Sequence, residues 1–335
     1  MVRRPIAFTM GDPTGIGPEI VLKAVQKPLS VPFVWIGDPE VLMFTASHLG
    51  LSVAIEVISQ IPTGSWPNFS PGTIPVLAMR SQVEIEKLTF GHPQAVFAGA
   101  IIESIQTACE LALCGTIDAV VTPPIHKAVL HAGGFTSFPG HTEMLAAWSG
   151  GVTPVMMLAG AGLRVVPVTI HLPLAGVSRE ITYEKLIKIM EITLESLRRD
   201  FALPHPRLAV AGLNPHAGEN GFFGREEIEV IGPVCQEMVN RGFLVSGPWP
   251  SDTLFHAKAR GEYDAVVCMY HDQALIPLKM LSFGRAVNIT LGLPFVRTSV
   301  DHGTAFDIAG EGRADPSSLL AAIEMAGMIL DHRVI

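Results

Sequence analysis

At 335 residues, 48% hydrophobic and 16% charged, the chain is long enough for about two domains and too apolar to be disordered or a small stapled scaffold. It has 23 Lys and Arg against 31 Asp and Glu, a net charge of -8, which leaves no basic footprint for nucleic acid. Cys109, Cys114, Cys235 and Cys268 lack CxxC spacing, which argues against a zinc ribbon or disulfide framework and for thiols kept in a reducing cytoplasm.

The N-terminal apolar run breaks at Gly11-Asp12-Pro13, too soon for a secretory signal, so a cytoplasmic protein is expected. Pro5 to Met10 reads as a strand, followed by a glycine-rich loop and a helix beginning near Pro18, where a missing N–H costs nothing. Val31 to Gly37 is the next strand, and the turn-rich segment from Gln60 to Gly72 is a surface excursion. Gln94 to Cys114 places Val96, Phe97, Ile101, Ile105, Ala108 and Leu111 on a helical stripe closed by Gly115, and Asp118 to Thr122 is a short buried strand. The charge-free run from Met144 to Leu163 has the length of a membrane span, but Ser149-Gly150-Gly151 and Pro154 divide it into a helix end, a turn and a strand. No membrane partner is expected. Thr182 to Phe201 is the clearest amphipathic helix, with Leu186, Met190, Leu194, Leu197 and Phe201 on one face. Strands alternating with periodic helical segments, punctuated by 32 Gly and 26 Pro, indicate an α/β fold with a largely parallel sheet.

Three apolar strands each end in a histidine-bearing loop: VVPVTI before His171, RLAVAGLNP before His216 and DAVVCMY before His271. In parallel sheets ligands bind beyond the carboxyl ends of strands, so residues far apart in sequence converge there. Imidazole suits zinc and similar divalent ions, and three protein ligands with an open fourth position make a catalytic site. The separations match no local zinc motif, so convergence has to come from the fold. Asp272, directly after His271, and Asp252, in PSDTLF, are each either a partner orienting a ligand histidine, a proton acceptor beside the metal, or a turn or cap residue.

PGHTEM puts His141 and Thr142 after a Pro-Gly turn at a helix start, where unpaired N–H groups favour a phosphate or carboxylate; the alternative is an ordinary Thr cap beside Glu143. Lys279, Arg285 and Arg297 punctuate an otherwise apolar stretch expected to be buried. There Arg297 either clamps an anion, with Asn288 bonding the same ligand, or pairs with a nearby aspartate. GDPTGIGPE contains neither a GxGxxG fingerprint nor a P-loop, and the chain has no GxSxG or HExxH, which argues against a serine hydrolase or zincin.

The motifs MGDPTGIGPEI, PGHTE, TIHLPL, GLNPHAGENG, PSDTLF, MYHDQ and VNITLGLPFVRTSVDHGTAFDIAG, in this order and nearly end to end, resemble the 4-hydroxythreonine-4-phosphate dehydrogenase family of vitamin B6 biosynthesis. Gly11 to Glu19 and His302 to Gly310 are also similar to segments of isocitrate and isopropylmalate dehydrogenases. That kinship implies a two-domain α/β fold of mostly parallel sheets flanked by helices, with a cleft between domains. It divides the chain into 1–125 with 290–335, carrying an NAD loop, and 126–289, carrying the metal ligands and a homodimer interface. The family resemblance implies oxidation of 4-phosphooxy-L-threonine with NAD or NADP, then decarboxylation to 3-amino-2-oxopropyl phosphate. It assigns His171, His216 and His271 to a divalent metal (Zn, Mg or Co) in a site shared between two subunits. His141, Thr142, Lys279, Asn288 and Arg297 fall at substrate positions, and His302, Gly303 and Thr304 at the NAD loop. Asp252 or Asp272 is the expected proton acceptor, with Lys279 helping to hold charge. The His126-Lys127 pair resembles the biosynthetic enzymes, whereas sister enzymes acting on 4-phospho-D-threonate or D-erythronate have Asn before that Lys; GENGFFG and TAFDIAG look closer to the sister group. Two alternatives from other classes are a non-redox metal-dependent hydrolase or lyase on phosphorylated hydroxy acids, and a non-catalytic phosphate-binding module.

Overall fold

A computed structural model describes residues 3–62, 66–67, 69–137, 140–256 and 261–333. The first apolar run forms β1 (Ile6–Thr9), entirely buried, and the loop after it leads into α1 (Gly17–Ala24), which has proline in its first turn. Next come β2 (Phe33–Gly37) and α2 (Pro39–Leu49), capped by Asp38, whose carboxylate accepts the Glu40 N–H. β3 (Ala54–Ile58) and β4 (Thr73–Ala78) follow. The surface excursion expected over Gln60 to Gly72 lies partly outside the described residues.

The helical stripe from Gln94 opens as a 3-10 turn and continues as α3 (Ala98–Leu113), ahead of β5 (Ala119–Thr122), α4 (Lys127–Ala132) and α5 (His141–Trp148). Among the described residues, Ala95–Leu113 is the one helical stretch long and apolar enough to cross a membrane by length and composition. Ile101, Ile105 and Ala108 are fully covered, and α3 packs on β1, β2 and β5. The run from Met144 divides as its glycines and proline require, α5 ending at Trp148 before β6 (Val155–Gly160) begins.

β7 (Leu163–Pro167) returns antiparallel to β6 through Ala161 and Gly162, both at positive φ. α6 (Val177–Glu180) precedes α7 (Tyr183–Phe201), which Thr182 caps and whose five predicted face residues are all buried. β8 (Arg207–Ala211), α8 (Gly232–Asn240), β9 (Leu244–Trp249), α9 (Ser251–Leu254), β10 (Ala265–Cys268), α10 (His271–Ser282) and β11 (Val287–Leu291) follow. β12 (Val296–Ser299) and α11 (Ser317–Arg333) end the chain.

The chain divides into two compact units, Met1–Pro154 with Leu293–Leu330, and Val155–Gly292 with Asp331–Ile335. The kinship puts the division after residue 125, whereas here 126–154 goes with the first unit, because α4 and α5 pack on α3. In the first unit the strands run β3-β4-β2-β1-β5-β12, every neighbouring pair parallel. In the second the order is β11-β6-β7-β10-β8-β9, antiparallel between β11, β6 and β7 and parallel from β7 onward. β7, β10 and β8 are therefore adjacent and parallel, so the segments bearing His171, His271 and His216 leave from the same edge. Leu158, Val165, Ala209, Val266, Cys268 and Leu278 form the core beneath that edge.

Candidate functional site

In the second unit, β7 continues through Thr169, whose N–H and hydroxyl both donate to the Met269 carbonyl at 3.2 and 2.8 Å, tying the end of β7 to the end of β10. This registers His171 beside His271, the first residue of α10, with ring centroids 6.0 Å apart. The Asp272 carboxylate lies 2.6 Å from His271 Nδ1. With the proton on Nδ1 pointing at the carboxylate, Nε2 is left as the lone-pair donor, the arrangement by which a carboxylate fixes the tautomer of a metal ligand.

His216 is exposed and its ring lies 6.2 Å from that of Phe223. Among the described residues no group of three His, Cys, Asp or Glu side chains within one chain is arranged to hold a metal ion. Asp252 is exposed on α9, and Lys279, half-buried, lines an open recess of about 480 Å³ along α10 with His271, Asp272, Ile276, Met280 and Phe283. Asn288 stands on β11, its Oδ1 buried and without a hydrogen-bond partner.

The loop carrying His216 is unusual: residues 216–220 all have positive φ, His216 at 52° and Glu219 at 43°. Left-handed backbone costs a non-glycine residue about 1–2 kcal/mol, so something has to hold it. Glu227, 5% exposed, accepts hydrogen bonds from the Leu213 and Asn214 N–H groups, each at 2.8 Å, and from the Asn214 side chain at 3.0 Å. Gly218 belongs to the same device, since a Cβ there would sit 2.6 Å from the Glu227 carboxylate. Glu227 is absent from the sequence reading. Its only signal is a carboxylate shortly after the Gly- and Asn-rich GLNPHAGENG, which solvent-facing glutamates share.

In the first unit the buried cation is Arg297 on β12, 3% exposed, donating to Thr122 Oγ1 at the end of β5 over 2.7 Å. Burial pushes its guanidinium down to about 10, with Glu143 acting in the opposite direction, so it stays charged at neutral pH. His141 starts α5 with Gly140 before it, so Thr142 is not the cap, and no side-chain cap bond forms. Pro139, half of the expected Pro-Gly turn, lies outside the described residues. Burial first, then the charges of Arg297 and Lys127, hold the His141 imidazole well below its usual value, and Nε2 is buried without a partner. Lys279 and Arg285 are not buried as Arg297 is; Arg285 is exposed.

The glycine loop packs on the segment bearing His302, Gly303 and Thr304. The Ile16 N–H donates to the Thr304 carbonyl at 3.0 Å, and a Cβ on Gly15 would lie 2.9 Å from that oxygen, which explains the glycine. Buried Asp12 accepts from the Thr14 hydroxyl at 2.7 Å, and burial raises its carboxyl despite bonds from Thr14. Asp12 Oδ2, His126 Nδ1 and His302 Nε2 are likewise buried without hydrogen-bond partners. Buried polar atoms are normally satisfied, so each of these open valences is a candidate contact for water or a polar ligand.

A family model described as pyridoxal phosphate biosynthetic protein PdxA matches residues 29–326. The chain belongs to the PdxA family. It is 47% identical, over 99% of its length and 99% of the relative's, to 4-hydroxythreonine-4-phosphate dehydrogenase of Caulobacter vibrioides. The enzyme of that name from Methylorubrum extorquens is 48% identical, covering 98% of this chain and 95% of the relative. A crystal structure of 4-hydroxythreonine-4-phosphate dehydrogenase from Klebsiella pneumoniae superposes with a TM-score of 0.89 at 40% identity, over 98% of both chains.

Proposed function

We propose that this chain is a metal-dependent, NAD(P)-linked 4-hydroxythreonine-4-phosphate dehydrogenase of pyridoxal phosphate biosynthesis, oxidising 4-phosphooxy-L-threonine to a ketone that loses carbon dioxide to give 3-amino-2-oxopropyl phosphate. The observation that carries it is the pairing of His171 with an Asp272-held His271 at the ends of parallel strands, in a chain alike throughout to relatives of that name.

The donor set fits a divalent cation: imidazoles suit zinc and its neighbours, and the Asp272 contact leaves His271 Nε2 to ligate. His171, His216 and His271 would hold the ion, with a homodimer completing the set. Met280, Phe222 and Phe283, each more than 80% exposed on the unit that carries the histidines, are apolar surface of the kind an interface covers. When bound, the ion supplies Lewis-acid polarisation of the substrate oxygens, and NAD or NADP supplies the hydride acceptor. His302, Gly303 and Thr304 are assigned to the nicotinamide cofactor, a role that the unpartnered His302 Nε2 supports.

The chain's own groups do the rest. Arg297 brings a permanent charge and a planar fork to the anionic substrate, and His141 offers a neutral ring, with Thr142, Lys279 and Asn288 as further contacts. Asp252 or Asp272 accepts the proton of the hydroxyl being oxidised, and Lys279 balances carboxylate charge. A cytoplasmic setting agrees with four free cysteines.

The test is steady-state nicotinamide reduction by the purified full chain with 4-phosphooxy-L-threonine and 4-phospho-D-threonate, each with NAD and with NADP. Preference for the amino acid supports the assignment. Preference for the threonate moves the chain to the sister activity, and no reduction with either removes the dehydrogenase reading.

A further inference from the structure

One buried amide in the second unit makes more hydrogen bonds than its local position calls for. Gln273 is 8% exposed and two residues past His271. Its Oε1 accepts the Met269 N–H at 2.5 Å, while Nε2 donates to the Gly212 carbonyl at 2.7 Å and to Ser251 Oγ at 2.7 Å. The Ser251 hydroxyl in turn donates to the Gly212 carbonyl at 3.2 Å. The Met269 carbonyl takes both bonds from Thr169, two residues before His171.

A single side chain thus ties together the end of β10, which leads to His271, the end of β8, which leads to His216, and the start of α9, which carries Asp252. Through Met269 it also fixes the segment leading to His171. Gln273 is the third residue of α10, where Gln commonly reaches back to the backbone before the helix. That capping role accounts for the Met269 bond alone and leaves the two bonds to other loops unexplained. Burying an amide is costly compared with an apolar side chain of the same size, and a fully satisfied polar network in such a place fixes one geometry.

We propose that Gln273 is a positioning residue: by bonding the ends of β10 and β8 and the start of α9 at once, and through Met269 steadying the segment before His171, it sets the relative placement of His171, His216 and His271. This rests on the reading of those histidines as metal ligands. Gln273 itself touches neither ion nor substrate, and its effect passes through the loops it joins.

The test uses the full chain and three variants at this hub. Gln273→Ala removes every bond. Gln273→Glu keeps the acceptor for Met269 and loses both donors at neutral pH. Ser251→Ala removes one partner and serves as the mild variant if the others fold poorly. Thr193→Val on α7, which deletes a buried hydroxyl bonded to the Ile189 carbonyl at 2.7 Å, is the stability control. Zinc affinity is measured by competition with a chromophoric chelator, alongside kcat, KM and the urea midpoint.

The expected result is zinc binding weakened about 10- to 100-fold in Gln273→Ala and Gln273→Glu alike, the cost typical of losing a group that orients metal ligands. Ser251→Ala weakens it by about 2- to 10-fold, the worth of one hydrogen bond. Thr193→Val lowers the urea midpoint with zinc affinity unchanged. Gln273→Glu binding zinc as the wild type does would reduce Gln273 to a local cap and overturn the proposal, as would a loss in Thr193→Val equal to that in Gln273→Ala. Wild-type chain that takes up no divalent ion would instead overturn the metal reading, and this proposal with it.

Discussion

The two units handle polar chemistry in opposite ways. In the first, the charged and titratable groups are themselves buried: Arg297 and His141 are nearly inaccessible, and Asp12, His126 and His302 keep polar atoms open in the interior. In the second, the histidines stand at the rim, and what is buried is the scaffold beneath them, Glu227 and Gln273. An anion site gains from low dielectric, because a desolvated guanidinium meets its partner with less competition from water. A metal site gains from accessible lone pairs on backbone that does not move.

That contrast is broken most readily at the rim. His216→Ala should lower turnover by about a thousand-fold, the several kcal/mol of a Lewis acid, while the urea midpoint stays near wild type because the ring is exposed. Metal content and nicotinamide reduction, measured together, should fall together. In the first unit, Arg297→Met should raise KM for the phosphorylated substrate by up to about 100-fold, the worth of charge-assisted hydrogen bonds. The urea midpoint should move little, since the desolvation of a buried guanidinium offsets much of what its Thr122 bond and the Glu143 charge return, and an apolar side chain of similar size fills the same space. A large drop in the urea midpoint of Arg297→Met would mean that the residue serves the fold.

Glu227→Ala probes the support beneath the His216 loop of the second unit. With the Leu213 and Asn214 N–H groups left unsatisfied under a left-handed loop, stability should fall by about 2–3 kcal/mol, read from chemical denaturation. The smallest effect is acid sensitivity in the first unit. Folded His141 resists protonation, whereas in the unfolded chain it titrates near its ordinary 6.5, so the unfolded state gains protons first and stability declines as pH drops below that value. The slope is at most about 1.4 kcal/mol per pH unit, and His141→Gln should flatten it.

Much of this architecture was legible in the sequence. The apolar runs ending at Thr9, Gly37 and Thr122 became strands because their residues have no polar face, and Thr182 to Phe201 became α7 because its stripe has one. The three histidines were visible because each follows a buried run, and parallel pairing of β7, β10 and β8 brings those run ends to one edge. Less legible were the supports. Glu227 and Gln273 act through backbone groups far away in sequence, and no spacing rule identifies which carbonyl an amide will meet. The division at 154 was equally hidden, since it depends on α4 and α5 packing against α3 rather than on any linker composition.

Service of one divalent ion by histidines from separate strand ends during alcohol oxidation is open to a single experiment. It is tested most directly by following nicotinamide reduction with 4-phosphooxy-L-threonine before chelation, after chelation, and after adding back zinc, magnesium or cobalt. Turnover should disappear with the chelator and return with one of these ions; turnover that continues undiminished in the chelated protein would rule the ion out of the reaction.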